Sequence, residues 1–288
     1  MIRRLLFAVA LSAAVLPPAV APGQASACGA ESDCRVGDRV YRIAAPAAWA
    51  PDRPRGALVY AHGYKGSAAG ALRGRALRAA ADALGVAVVA LQARGDDWSL
   101  PGAPGVLRSG AAAEPEAEIA YIAAVMADAA ARFGLDPRRM ALGGFSAGGM
   151  LVWQAACARG DDLAAGFIPI AGTYWRPIPD RCPGAPAPLV HLHGKSDRVV
   201  PIEGRAIGPA RQGDVRAALD RFRRDGGYED PMAEQPAPGA QDLTCRRRRA
   251  PGGAVLAFCT HGGGHRYAAQ HLVAAWRLLQ DAGAFARD

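Results

Sequence analysis

Gly144-Phe145-Ser146-Ala147-Gly148 joins two apolar segments of this 288-residue chain. The segment before it, 139–143, is short and mostly apolar, as in a buried strand, and segment 147–158 is rich in Ala, Met, Leu and Trp, as in a buried helix. A serine on a tight turn from strand to helix presents its hydroxyl at the edge of a sheet, and the two glycines avoid collisions across that turn. The stretch therefore predicts strand, sharp turn and helix, with Ser146 as a candidate nucleophile.

Two later apolar segments, 187–193 and 255–260, are typical of further buried strands, and they lead into Asp197 and His265. Since parallel strands end at one edge of a sheet, both side chains are expected near Ser146. Each of the three alone also fits an ordinary structural role, in a turn, a cap or a packed imidazole. Together they predict a catalytic triad, in which serine attacks an acyl carbonyl, histidine moves the proton and aspartate holds the imidazole tautomer.

An oxyanion hole is expected beside the candidate nucleophile. Segment 56–61 is typical of a central strand, and it is followed by a loop with the sequence His62-Gly-Tyr-Lys-Gly-Ser67. In this arrangement one donor is the backbone N–H after the nucleophile and the other comes from the early strand-to-helix loop. The sequence thus predicts the N–H groups of Ala147 and Tyr64, with His62 shaping the loop. Three further histidines are expected to be structural: His191, His193 and His261.

Predicted strands alternate with predicted helices along the rest of the chain, which favours a mostly parallel sheet with helices on both faces. The remaining expected strands are 86–91 and 167–170, and the expected helices are 116–133, 214–224 and 267–284. Segment 228–242, rich in Pro, Ala and polar residues, is expected to be an irregular insertion. No internal repeat or linker divides residues 28–288, so one α/β domain is predicted.

Residues 1–27 have the pattern of a secretory signal peptide. Arg3 and Arg4 precede an apolar run, and Ala25-Ser26-Ala27 forms a small-x-small cleavage site before Cys28. We therefore expect cleavage near Ala27 and a secreted or periplasmic protein without an integral membrane segment. The paired arginines leave both general and twin-arginine export open. Lipid attachment at Cys28 is disfavoured because position 25 is Ala, not Leu.

All six cysteines follow the predicted cleavage site, which favours disulfides in an oxidising compartment. Cys245 and Cys259 lie symmetrically about the turn signal Pro251-Gly252-Gly253 and should face each other across a hairpin. Cys28 and Cys34 are close enough to close a small ring, which leaves Cys157 with Cys182. No cysteine forms a C-x-x-C pair or has zinc-ligand spacing from a histidine, so no metal site is expected.

The formal net charge is +8, and the densest basic run is Arg246 to Arg249. A nucleic-acid surface would need further basic or aromatic clustering, which the sequence lacks, so no nucleic-acid partner is expected. The run itself is predicted to be an exposed strand.

Several motifs together resemble one known family across nearly all of residues 28–288: Cys34 with Val40-Tyr41-Arg42, His62-Gly-x-x-Gly-Ser67, Gly144 to Gly149, Ala171 to Trp175, His193 to Asp197 with Val200-Pro201, and Gly262 to His265. The chain is similar to secreted polyhydroxybutyrate depolymerase-like esterases, which are related to feruloyl and acetyl xylan esterases. The resemblance implies an α/β-hydrolase fold, a triad of Ser146, Asp197 and His265, and neither metal nor organic cofactor. Two segments depart from the family pattern: Glu114 to Glu118, and Arg266-Tyr267 after the candidate histidine.

Substrate identity follows less directly from the sequence. Short hydroxyalkanoate-type esters or oligomers are the first expectation, and feruloyl or acetyl esters of plant cell walls are the second. Trp98, Tyr174 and Trp175 are candidates for the wall of a substrate pocket, although ordinary core packing is the favoured explanation for each. A non-catalytic envelope binding protein built on a hydrolase scaffold is the alternative from another class. The oligomeric state stays open.

Overall fold

The computed structural model describes residues 28–49 and 55–285. The expected signal peptide, residues 1–27, lies outside the described residues. Twelve strands are found in the described part of the chain: β1 Cys34–Val36, β2 Arg39–Ala44, β3 Ala57–Ala61, β4 Ala87–Leu91, β5 Met140–Phe145, β6 Gly166–Ile170, β7 Leu189–Gly194, β8 Ala206–Ile207, β9 Ala210–Arg211, β10 Gln235–Ala237, β11 Ala240–Arg249 and β12 Val255–His261. The α-helices there are α1 Ala68–Leu72, α2 Arg75–Leu84, α3 Pro104–Ser109, α4 Pro115–Phe133, α5 Ala147–Arg159, α6 Val215–Asp225 and α7 Ala269–Asp281.

Ten of these strands form one sheet in the order β1-β2-β4-β3-β5-β6-β7-β12-β11-β10. The six from β4 to β12 are mutually parallel, and β1, β2, β11 and β10 extend the two edges in antiparallel fashion. The predicted parallel sheet is therefore confirmed. Its central strands β3, β4, β5, β6 and β7 are almost wholly buried, as expected of strands covered on both faces.

Helices cover both faces of the sheet. On one face α4, α5 and α6 contribute buried side chains such as Ile122, Trp153 and Phe222 to a single apolar cluster. On the other face α1, α2 and α7 contribute Leu77 and Trp276, among others, to a second cluster. The nucleophile candidate lies at the start of α5, so its position depends on the packing of the first cluster.

The three predicted disulfides are confirmed. Cys28 pairs with Cys34, Cys157 with Cys182, and Cys245 with Cys259. The third joins residues that are directly opposite in the β11–β12 register, as the symmetry about the turn predicted.

The interpretation of 228–242 as an irregular insertion is wrong in part. Residues 235–237 form β10, which pairs with β11, and β11 itself begins at Ala240. The sequence pattern hides this strand because Pro236 interrupts it, and a proline is tolerated at the edge of a sheet where no partner needs its missing N–H.

A buried ion pair joins the edge of the sheet to α4. Arg39 Nη1 donates to Glu118 Oε2 at 2.7 Å, and both side chains are at most 6% exposed. The guanidinium also lies 3.6 Å above the ring of Tyr121, and Glu118 Oε1 accepts the backbone N–H of Ser99. Glu118, which belongs to the segment that departs from the family pattern, thus fixes β2 and the loop before α4.

Glu118→Ala is expected to lower the free energy of unfolding by about 3–5 kcal/mol, because it leaves a buried guanidinium without its carboxylate. Chemical denaturation of the variant and of the unmodified protein measures the effect. Asp38→Ala removes the carboxylate of a solvent-exposed pair with Arg94 and serves as the matched control, which should change stability little. Equal losses in the two variants would contradict the structural role given to Glu118.

No α-helix among the described residues is long and apolar enough to cross a membrane.

Candidate active site

Ser146 lies on the sharp turn between β5 and α5. Its backbone has φ 58° and ψ −118°, outside the regions that side-chain-bearing residues prefer. The backbone N–H of Ser146 donates to Ile170 O at 2.9 Å, which holds the turn against β6. A strained backbone conformation persists only where the surrounding packing leaves the chain no alternative, and such conformations are frequent at functional sites. The predicted strand, turn and helix are therefore present, and the serine side chain is half-buried.

Close packing of main chains explains the two glycines beside the serine. A Cβ on Gly148 would overlap the carbonyl oxygen of Ala61 at the end of β3, and one on Gly144 would overlap the carbonyl oxygen of Gly148. Only residues without side chains allow the first turn of α5 to lie this close to β3 and β5. The turn is therefore positioned by contact with the centre of the sheet.

Asp197 and His265 are joined by a hydrogen bond of 2.7 Å between Asp197 Oδ2 and His265 Nδ1. The carboxylate is fully buried, and 17% of the imidazole is exposed. Burial alone would raise the pKa of Asp197, but hydrogen bonds from His265 and from the backbone N–H groups of Val200 and Val199 hold it below its ordinary value. An ionised carboxylate can only accept, so His265 Nδ1 carries a proton and neutral His265 has its lone pair on Nε2.

Ser146 adjoins this pair through its neighbour in sequence. The ring of Phe145 packs on the imidazole of His265, with 4.6 Å between centroids, and on Tyr267, with 5.5 Å. Within residues 28–49 and 55–285, no hydrogen bond connects the Ser146 hydroxyl to His265 Nε2. Catalytic hydrogen bonds are often long without substrate and shorten when it binds. The structure thus brings Asp197 and His265 into direct contact, and Ser146 directly follows Phe145, whose ring contacts His265.

Backbone hydrogen bonds hold the loops of Asp197 and His265 together. Lys195 N–H donates to His261 O at 2.8 Å and Ser196 N–H to Gly263 O at 3.0 Å, and the Ser196 hydroxyl donates to Gly262 O at 3.1 Å. A Cβ on Gly194 would overlap the main chain at Gly263 and Gly264. The short distance between the carboxylate and the imidazole therefore follows from contact between the two loops.

His261 closes the loop that carries His265. Its Nδ1 accepts the N–H of Gly263 at 3.0 Å, so in the neutral ring Nε2 carries the proton and donates to Arg266 O at 3.0 Å. Burial lowers the pKa of His261, and the nearby His271 lowers it further, which favours this neutral form. The expectation that His261 is structural fits these contacts, and the part of the chain that it organises is the site itself.

The loop that carries the proposed oxyanion donor Tyr64 packs on the serine turn. A Cβ on Gly63 would lie 3.3 Å from Ser146 Cβ. His62 is buried below this loop; its Nδ1 donates to Gly63 O at 2.8 Å, and its Nε2 accepts the N–H of Ala93 at 3.3 Å. His62 thus fixes the loop. The N–H of Ala147 belongs to the first turn of α5, whose N–H groups have no partner within the helix.

Two further histidines form a buried chain of hydrogen bonds that ends beside Asp197. Trp153 Nε1–H donates to His191 Nδ1 at 3.1 Å, and His191 Nε2 is 2.9 Å from His193 Nδ1. His193 Nε2 lies 2.8 Å from Val200 O and 3.7 Å from Asp197 Oδ2. Because an indole N–H only donates, each imidazole accepts at Nδ1 and donates at Nε2. The chain supports the loop from Asp197 to Val200 with neutral rings.

The aromatic residues proposed for a substrate pocket are all buried. Trp98 donates its indole N–H to His62 O at 2.9 Å, and Tyr174 donates its hydroxyl to Trp153 O at 3.0 Å. Trp175 is 7% exposed. Trp98 and Tyr174 thus have packing roles, and a contact of any of the three with substrate stays a prediction.

In the described part of the chain, no group of three or more His, Cys, Asp or Glu side chains is arranged to hold a metal ion.

Sequence similarity shows the family of this chain. The sequence is 30% identical over 247 residues to "Putative esterase NocK" of Nocardia uniformis subsp. tsuyamanensis, covering 80% of this chain and 70% of that protein. The chain belongs to the esterase family of α/β-hydrolases. No model of a protein family matches the sequence.

Solved structures share the fold of this α/β-hydrolase. The Bacillus cereus carboxylesterase superposes with a TM-score of 0.56 at 10% identity, covering 85% of this chain and 95% of that one. The acetyl xylan esterase from Aspergillus awamori has a TM-score of 0.55 at 13% identity, covering 79% and 89%. At these identities the similarity concerns the fold alone.

Sequence reasoning missed part of this esterase's site. Phe145, the second residue of the Gly-Phe-Ser-Ala-Gly stretch, packs on His265, although its place beside the serine was a usable signal. The contact of Trp153 with His191 had no signal, since the two are 38 positions apart and meet only through packing of α5 on β7. His191 and His193 are two apart on a predicted strand and so share one face, which was a usable signal for their contact.

Gly148→Ala is expected to destabilise the protein by about 3 kcal/mol or more, because the new methyl group overlaps backbone in a core that cannot move easily. Gly105→Ala is the matched control: it is also the second residue of a helix, and a Cβ there meets no atom within 4 Å. Since alanine is the better helix former, the control should be neutral or slightly stabilising. Thermal denaturation of both variants gives the comparison, and a mild effect at Gly148 would contradict the packing described.

His191 and His193 are expected to be neutral and protonated on Nε2, and to take up a second proton only at a lower pH than a solvent-exposed imidazole, whose pKa is about 6.5. Burial lowers the pKa of both, and the neighbouring imidazole further disfavours a charge on His191. Nitrogen-detected NMR of the rings reads the tautomer directly. A proton on Nδ1 of either ring would contradict the chain.

The same two histidines are expected to lower stability in acid. Their folded pKa values lie below the unfolded value of about 6.5, so on acidification the unfolded chain binds protons first and their contribution to the free energy of unfolding falls. Asp97 acts in the opposite sense, since burial raises its pKa to about 6. The residue-specific NMR measurement is therefore the decisive one.

Proposed function

We propose that this protein hydrolyses carboxylic esters through an acyl-enzyme on Ser146, with His265 as general base and acid and Asp197 as its partner. The observation that carries the proposal is the hydrogen bond between His265 Nδ1 and the buried, ionised Asp197, because it leaves the Nε2 lone pair free as a base. The strained turn at Ser146, directly after the Phe145 that packs on His265, gives further support.

The reaction would run in two halves. Ser146 Oγ attacks the ester carbonyl while His265 Nε2 takes the hydroxyl proton, and the carbonyl π electrons move to oxygen. The tetrahedral intermediate collapses, the C–O bond to the alcohol breaks, and His265 gives its proton to the leaving oxygen. A water molecule, deprotonated by His265, then attacks the acyl-enzyme and releases the acid, and Ser146 regains its proton.

Asp197 would act on both halves through His265. Its negative charge stabilises the imidazolium that forms when Nε2 is protonated, and its hydrogen bond keeps the other proton on Nδ1. Because the carboxylate also accepts the N–H groups of Val199 and Val200, it stays ionised and fixed in place. The aspartate therefore needs no proton of its own in the cycle.

Charge that develops on the carbonyl oxygen would be stabilised by the N–H groups of Ala147 and Tyr64. The contact between Gly63 and Ser146 supports this assignment, since it brings the loop of Tyr64 next to the attacking hydroxyl. Oxyanion donors of this kind are worth about 100- to 1000-fold in turnover.

For the substrate we propose short hydroxyalkanoate-type esters or oligomers. The ring of Phe145 packs on His265 and on the ring of Tyr267, and this aromatic pair would offer an apolar surface to the acyl group of a substrate. The same aromatic surface suits a feruloyl group, so feruloyl and acetyl esters of plant cell walls are the second candidate.

We also propose that residues 28–288 form the mature enzyme and that it works outside the cytoplasm. Three disulfides support this location, since such bonds persist in oxidising compartments.

Ser146→Ala is expected to lower kcat by at least about 10⁴-fold, because it removes the group that forms the covalent intermediate. Initial rates on 3-hydroxybutyrate oligomers and on methyl ferulate measure both the mechanism and the preference between the two substrate classes. Ser109→Ala, which changes a serine in the short helix α3, is the control and should keep full activity.

Labelling with a serine-directed phosphonate separates catalysis from binding. The unmodified protein and the Ser109 variant should be labelled on Ser146, and Ser146→Ala should not. An unmodified protein that neither reacts with the probe nor hydrolyses any ester would favour the non-catalytic binding protein instead.

A further inference from the structure

A cavity lies between α6 and the β11–β12 hairpin, and its lining includes no residue of the proposed active site. It has a volume of about 220 Å³. Four arginines line it: Arg216 and Arg223 from α6, and Arg246 and Arg248 from β11. Residues seven apart on a helix share one face, as do residues two apart on a strand, so two elements each present a pair of guanidinium groups to the same space.

The floor of this cavity is apolar. Across the hairpin, Arg246 is directly opposite Phe258 and Arg248 is opposite Leu256. Both of these side chains line the cavity, together with Leu219 from α6. Leu256 is buried and the other two are half-buried. The cavity thus combines basic walls with an apolar base that includes an aromatic ring.

Positive charge in the cavity exceeds the negative charge. Among the described lining residues only Asp220 carries a carboxylate, and it already binds Arg223 at 3.0 Å and also Arg224. Arg216 has Asp214 at 4.0 Å, at the limit of an ion pair. The side chain of Arg246 makes no hydrogen bond or ion pair within the part of the chain that the structure describes. Its guanidinium is therefore available for a ligand in the cavity.

Two positive charges, those of Arg223 and Arg246, act on Arg248. Arg248 donates to Glu229 O at 3.0 Å. Burial lowers the pKa of Arg248, and the charges of Arg223 and Arg246 lower it further, against the weaker opposing pull of Asp230 and Asp220. An anion bound between these groups would relieve that repulsion.

We propose that this cavity binds a small organic anion, with a phosphate or carboxylate group between the arginines and an apolar or aromatic body on Phe258, Leu256 and Leu219. Guanidinium groups match both oxyanions because their planar forks donate paired hydrogen bonds. A concave site with an apolar floor suits a small molecule, whereas a polyanion would be held by an extended basic surface. This proposal is independent of the reaction at Ser146.

Isothermal titration of the full-length protein with phenyl phosphate and with benzoate tests it. Benzyl alcohol supplies the ring without the charge, and inorganic phosphate supplies the charge without the ring. We expect at least one of the two aromatic anions to bind more tightly than both reference compounds, and the tighter of the two identifies the preferred head group. Absence of binding by either anion at about 10 mM, where even millimolar affinities are detected, would overturn the proposal.

Arg246→Ala is the diagnostic variant, because this side chain makes no contact that the fold requires. It should weaken binding of the preferred anion about tenfold, as expected for loss of one charge-assisted contact. Arg247→Ala is the matched control: it removes the same charge from the next position of the strand, where the side chain donates to Gln235 outside the cavity. The control should change the Kd less than about twofold, since distant exposed charges are screened by salt.

Three outcomes would contradict the proposal that the cavity binds a small organic anion. Equal weakening by the two variants would show that overall charge attracts the anion. Equal affinity for inorganic phosphate and phenyl phosphate would mean that the apolar floor takes no part. Binding of heparin with no response to either aromatic anion would indicate an extended polyanion surface.

Discussion

The first turn of α5 lies against the end of β3 so closely that no side chain fits between them. Gly148 meets the carbonyl oxygen of Ala61, and this contact fixes where the helix begins and how sharply the chain turns before it. The unusual backbone of Ser146 is therefore imposed by the centre of the sheet, since the turn has no room to relax. The serine, the loop of Tyr64 and the strand β6 that accepts the Ser146 N–H are all placed relative to that one contact.

The other half of the site is organised by contact between loops. The loop after β7 and the loop after β12 share backbone hydrogen bonds from Lys195 and Ser196, and these strands are parallel neighbours in the sheet. Adjacent parallel strands end side by side, so the pairing of Asp197 with His265 follows from their order in the sheet. A buried imidazole holds each loop of the site. His62 holds the loop after β3, His193 the loop after β7 and His261 the loop after β12.

Local patterns in the sequence predicted the parallel part of the sheet. Short apolar segments followed by polar, glycine-rich loops indicated β3, β5, β7 and β12, and amphipathic spacing indicated α4 and α6. The disulfide between Cys245 and Cys259 followed from symmetry about a turn, which is a property of adjacent strands. The candidate site residues could be proposed in the same way, because each comes directly after one of these strands.

Features that depend on distant packing had no such signal. The edge strand β10 is short and contains a proline. At the opposite edge, β1 has three residues and is separated from β2 only by the tight turn at Gly37. The chain from Trp153 to His193 needs the contact of a helix with a strand, and the basic cavity needs α6 beside β11. In each case the partners are ordinary residues in sequence and gain their role only when the fold brings them together.

The direction of the buried histidine chain has a consequence for proton movement. Its inner end is an indole, which has no lone pair with which to pass a proton on, so the chain cannot supply protons to Asp197 from the interior. The carboxylate itself has no exposed surface. Among the described residues, His265 is the side chain that hydrogen-bonds this carboxylate, and its imidazole is partly exposed. We therefore expect protons to pass between solvent and the buried acid through His265.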